Sequence, residues 1–89
     1  MQIRLSDIKN TSNIIDIRTS LEFNEYNING SRNVSRFNLL KNPENYLNKD
    51  EEFYLICNKG EVSLSCCKIL NALGYKCYSV IGGMDAIKK

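Results

Sequence analysis

The residues best equipped for chemistry in this 89-residue chain are four cysteines, Cys57, Cys66, Cys67 and Cys77, in a sequence with no histidine. No C-x-x-C pair occurs, which removes the zinc-ligand and thioredoxin-like patterns. A disulfide framework belongs to secreted domains, and the opening "MQIRLSDIKN" has neither an apolar signal core nor a small-residue cleavage site. The thiols are therefore expected to be reduced and separate, in the cytoplasm, with no metal bound. The chemistry left is that of a lone thiolate: nucleophilic attack and covalent carriage of a group.

Cys57 has the setting for it. "CNKGEVS", residues 57–63, stands where an apolar run stops and a helical pattern begins. A tight loop there turns backbone N–H groups inward, and the first turn of the helix adds unpaired N–H groups and the positive end of its dipole. Asn58, Lys59, Gly60, Glu61, Val62 and Ser63 are expected to form an anion pocket over residues 58–62, with the helix taking over at Ser63. Gly60 fits a positive φ, and Lys59 supplies a mobile cation. The plain alternative is that Cys57 is one more buried core thiol.

The elements that must hold this loop can be read from patterning. Residues 13–17 ("NIIDI"), 53–57 ("FYLIC") and 77–81 ("CYSVI") are short apolar or β-branched runs suited to interior strands. Residues 3–5 and 31–34 are weaker strand candidates, and Ser6 reads as the cap of a brief helical turn over 7–10. Thr19 and Glu22 stand in capping-box relation, which places a short helix carrying Leu21, Phe23 and Tyr26 after the first interior strand. Short helical pieces are expected over 37–47. Over 63–73, Val62, Cys66, Ile69, Leu70 and Leu73 recur as one helical stripe, closed by Gly74. After Gly82-Gly83, "MDAIKK" begins a last helix.

This alternation predicts an α/β domain over residues 1–89, a small parallel β-sheet flanked by helices on both faces. In such sheets ligands bind at the C-terminal strand ends. Asp16 to Thr19, the Cys57 loop and Gly82-Gly83 all lie there. Arg18 is thereby a further candidate for anion binding, with a strand-end ion pair as its structural alternative. Arg36 is another, with a solvated surface position as its alternative.

Three stretches resemble the rhodanese family in order and spacing. "DIRTSLEFNEYNINGSRNV" matches D-V-R-x-x-x-E-[FY] through Asp16, Arg18, Glu22 and Phe23, then I-x-G-A-x-N-I through Ile28, Gly30, Asn33 and Val34. "CNKGEVS" matches C-x-x-G-x-x-[ST], and "GYKCYSVIGGMDAI" matches the closing G-G-[MFI]-x-A-W. The resemblance implies a sulfurtransferase in which Cys57 takes a sulfane sulfur from a small anionic donor such as thiosulfate. The resulting persulfide passes it to cyanide or a protein thiol, without a separate cofactor. Departures accompany it. Asn58 and Val62 stand where active members often carry a loop arginine, "EYNING" replaces G-H-I-P-G, and Ile87 replaces the final tryptophan.

Rival readings narrow the field further. A C-x5-R phosphatase needs arginine at position 63, which is serine. A rhodanese-like module that binds a partner and catalyses little remains the alternative function. Cys66 and Cys77 read as core, while Cys67 is either core or a partly exposed resolving thiol. Twelve Lys and Arg against ten Asp and Glu, without a basic block, argue against nucleic-acid or membrane partners.

Overall fold

In the computed structural model, which describes residues 1–88, five strands form one sheet. They are β1 (Gln2–Ile3), β2 (Ile14–Asp16), β3 (Arg32–Asn33), β4 (Glu52–Ile56) and β5 (Lys76–Val80), in the order β1-β5-β4-β2-β3 with every pairing parallel. The helices are α1 (Ser20–Glu25), α2 (Arg36–Lys41), α3 (Glu61–Ala72) and α4 (Gly83–Ile87). No helix among the described residues is long and apolar enough to cross a membrane.

Strand residues alternate between faces, so one sheet supports two cores. Ile15, Leu55, Phe53 and Cys77 pack on one side with Leu39 of α2 and Cys66, Cys67 and Leu70 of α3. Ile14, Ile56 and Val80 pack on the other with Met84 of α4 and Ile8. The three interior strands and the two-faced arrangement are as the apolar runs predict.

Local detail differs in four places. The N-terminal turn is not capped by Ser6: two 3-10 turns cover Leu5–Asp7 and Thr11–Asn13, and Asn10 caps the second by accepting from the Ser12 N–H. The α3 helix starts at Glu61 rather than Ser63, which shortens the loop to residues 58–60. Its buried face is Ser63, Cys66, Cys67 and Leu70, whereas Val62, Ile69 and Leu73 are 43%, 49% and 52% exposed. Small residues set that face. They let the helix lie close on β4 and β5, and the larger apolar side chains turn outward. Cys67 is consequently fully buried, which removes it as an exposed resolving thiol. The last helix begins at Gly83; Lys89 of the expected segment lies outside the described residues.

Candidate functional site

The C-terminal ends of β2, β4 and β5 meet around Cys57. The loop after β4 is anchored from behind by α4: Met84 N–H donates to the Cys57 carbonyl at 2.8 Å and Asp85 N–H to the Asn58 carbonyl at 2.9 Å. Every peptide bond described is trans, so turning these carbonyls toward α4 turns the Asn58 and Lys59 N–H groups the opposite way. Gly60 follows with φ +98°, the left-handed conformation that the sequence assigned to it and that glycine adopts without penalty.

Gly60 is also the residue that caps α3, and it has no side chain with which to do so. The sulfur of Cys57 takes over that task. Its Sγ accepts the Ser63 N–H, the third of the helix, at 3.3 Å and the Gly60 N–H at 3.1 Å, and lies 3.2 Å from the Ser63 hydroxyl. A serine or aspartate cap ordinarily accepts that same third N–H. Here the acceptor is a thiol on the preceding strand end, held against the positive end of the twelve-residue α3.

Cys57 is 5% exposed and lies at the floor of a cavity of about 490 Å³ lined by Ile17, Arg18, Thr19, Glu22, Asn58, Lys59, Glu61 and Val62. Of the residues singled out from the sequence, Asn58, Lys59, Glu61, Val62 and Arg18 therefore line the cavity, while Gly60 and Ser63 hold the sulfur from beneath. Arg18 has little to offer a ligand. Its Nε and Nη2 bond both carboxylate oxygens of buried Asp16, at 3.0 and 2.8 Å, and Nη2 also reaches the Tyr26 carbonyl at 2.7 Å. The bond to Asp16 holds its pKa above the ordinary arginine value. Arg36 is not brought to the site; it lines a separate groove on α2 with Phe37, Leu40 and Lys41.

Two contacts escape the sequence reading. Glu22, whose other oxygen closes the capping box on Thr19, accepts from Asn58 Nδ2 at 2.9 Å and so ties α1 to the loop. That bond, with those from Thr19, lowers the Glu22 pKa. Ser79 of β5, fully buried, lies 2.6 Å from the Ser63 hydroxyl. A lone serine in "CYSVI" was the available signal for it.

Burial pushes Cys77 up to about 12 and raises Cys66 and Cys67 as well. All four cysteines are free.

Comparison with known proteins places this arrangement. The family profile described as "Rhodanese-like domain" matches residues 2–89. The "Putative sulfurtransferase YtwF" of Bacillus subtilis (strain 168) is 34% identical over 73 residues, covering 82% of this chain and 70% of that protein. Among solved structures, SSP1007 from Staphylococcus saprophyticus superposes with TM-score 0.76 at 33% identity, covering 82% of this chain and 72% of that one. A rhodanese-like domain protein from Staphylococcus aureus gives 0.75 at 30%, covering 82% and 71%.

Proposed function

Starting from the chain's membership of the rhodanese-like domain family, we propose that it is a sulfurtransferase that carries sulfane sulfur as a persulfide on Cys57. The observation that supports this most is the sulfur itself: two backbone N–H groups and a hydroxyl converge on Cys57 Sγ at a cavity floor.

With thiosulfate as donor, the Cys57 thiolate attacks the outer sulfur, a new S–S bond forms, and the bond to the sulfonate sulfur breaks with its electron pair leaving on sulfite. Charge is conserved: the enzyme's single negative charge moves to the terminal persulfide sulfur. An acceptor thiolate or cyanide then attacks that sulfur and the Cys57 thiolate departs. No cofactor is called for, since atoms and electrons balance in both steps. The cavity-facing N–H groups of Asn58 and Lys59, and those of Glu61 and Val62 in the first turn of α3, are the donors for the displaced charge. Lys59 is the loop's cation for an anionic donor and Asn58, Glu61 and Val62 shape its approach. Four unpaired cysteines suit a reducing compartment, and we place the protein in the cytoplasm.

The test is mass spectrometry after incubation with thiosulfate. One added sulfur is expected, mapped to Cys57, lost in Cys57→Ser and retained in Cys66→Ser and Cys77→Ser. Equal loss in all three variants refutes the assignment. A folded wild-type protein that takes up no sulfur from thiosulfate or a persulfide donor is instead a rhodanese-like binding module.

A further inference from the structure

We propose that Ser79, outside the Cys57 loop, is a positioning residue that directs the Ser63 hydroxyl toward Cys57 and so governs how readily Cys57 exists as a thiolate. The inference rests on Cys57 being the reacting thiolate, and not on which donor it meets.

Ser63 Oγ stands between three neighbours: Cys57 Sγ at 3.2 Å, Ser79 Oγ at 2.6 Å and the Gly60 carbonyl at 3.3 Å. Ser79 Oγ also lies 3.2 Å from the Gly60 carbonyl, which takes the Leu64 N–H besides. Both serines are fully buried, so water does not complete their bonds. A contact of 2.6 Å between two hydroxyls holds one hydrogen between them.

With Cys57 as a thiol, its S–H points to Ser63 and every group is satisfied in either of two ways: the Ser63 hydrogen goes to Ser79 and the Ser79 hydrogen to the Gly60 carbonyl, or the Ser63 hydrogen goes to the Gly60 carbonyl and Ser79 donates to Ser63. With Cys57 as a thiolate, its proton having left to water in the cavity, Ser79 donates to Ser63, and Ser63 donates to Sγ. The carbonyl keeps its bond from Leu64 N–H. The thiolate state thus requires Ser79 as the donor to Ser63, which the thiol state does not. Without the Ser79 hydroxyl the thiol state stays satisfied, with S–H on Ser63 and the Ser63 hydrogen on the Gly60 carbonyl, whereas in the thiolate state the buried Ser63 oxygen accepts nothing and its donation to Sγ is weakened.

The charged groups facing the site are Lys59 and Glu61 from the loop and α3, Arg18 and Glu22 from the segment after β2, and Asp85 from α4; Cys66 is the titratable neighbour within α3. None of them bonds to Sγ.

The experiment is the pH dependence of iodoacetamide alkylation at Cys57, followed by peptide mass spectrometry in the full chain. Ser79→Ala should raise the midpoint by about half to one unit, slowing alkylation below it roughly three- to tenfold. Ser79→Thr, which keeps the hydroxyl, should restore the wild-type profile. In a Ser63→Ala background the second substitution should add nothing. An unmoved midpoint in folded Ser79→Ala overturns the proposal, as does a full shift that persists without Ser63 or a threonine variant that folds and fails to restore it. Should the alanine variant not fold, Ser79→Cys, near in volume and a weak donor, takes its place with the same outcomes. If the shift occurs but no persulfide forms, the sulfurtransferase reading fails alone; if persulfide forms and the midpoint stays, only the role of Ser79 falls.

Discussion

Gly83 lies so close behind Cys57 that an ideal Cβ built on it would come within 2.5 Å of both the Cys57 and Asn58 carbonyl oxygens. The two residues are far apart in sequence and on different elements, yet the Cys57 loop is shaped by the backbone of α4 as much as by its own residues. The Met84 and Asp85 N–H groups can reach the loop carbonyls only because position 83 has no side chain and a φ of +62°. The closing glycine pair is therefore part of the site's construction.

Gly83→Ala should consequently cost stability and disturb the loop together. The left-handed conformation and the carbonyl clash add to about 2 kcal/mol or more. In a domain of this size that is a fall of roughly 10 °C in Tm, measurable by circular dichroism. Persulfide formation per folded molecule should fall with it. A variant with lower Tm and unimpaired sulfur uptake would show that the loop holds its own shape.

Arg18→Met should destabilise by about 3–5 kcal/mol, because it strands a buried carboxylate: the Arg18 and Asp16 side chains are 2% and 0% exposed. Replacing both, as Asp16→Leu with Arg18→Met, should cost less than the single change, since no unpaired charge remains. Urea denaturation of the three proteins checks the order. The guanidinium is engaged by Asp16 and the Tyr26 carbonyl, so conservative Arg18→Lys should alter stability more than the KM for an anionic donor.

How much of this was legible beforehand follows a physical division. Interior strands announce themselves, because a strand covered on both faces must be apolar throughout, as Ile14, Ile15, Leu55 and Ile56 are. The capping box at Thr19 and Glu22 and the positive φ of Gly60 were legible for the same local reason. The start of α3 was not, since its capping acceptor is Cys57 Sγ, a group on another element. Its buried face was read only in part: Cys66 and Leu70 are buried as expected, but apolar size favoured Val62, Ile69 and Leu73 where close approach to the sheet demands the smaller Ser63 and Cys67. The two arginines took the alternatives offered for them: Arg18 lines the cavity but is bonded to Asp16, and Arg36 lies in a groove on α2, which only the packing of those elements decides.

The link between Glu22 and Asn58 should be sensitive to acid. Its folded pKa is lowered, first by the Asn58 bond and then by Thr19, so the stabilisation is fully present above the ordinary carboxylate value of 4.5. It is lost as pH falls through the lower folded value. The Tm advantage of wild type over Glu22→Gln should thus be level near neutrality and shrink once pH drops below 4.5. Because Glu22 is near solvent, the effect should be small and weaken in salt. An advantage that persists unchanged into strong acid would mean that the carboxylate charge contributes nothing to the link.

Lys59, Glu61 and Glu22 line the cavity, and Arg18 is neutralised by Asp16, so a donor dianion would meet one positive and two negative side chains there. Removing Glu61 should help and removing Lys59 should hurt. A unit charge several ångströms from the donor in a wet cleft is worth about 0.5–1 kcal/mol. Glu61→Gln should accordingly lower the KM for thiosulfate roughly two- to fivefold, and Lys59→Gln should raise it by a similar factor, with both effects fading as salt is added. An uncharged persulfide donor should respond to neither change. If thiosulfate KM were equally indifferent, the charge of the cavity would play no part in choosing the donor, and selection would fall to the shape formed by Ile17, Asn58 and Val62.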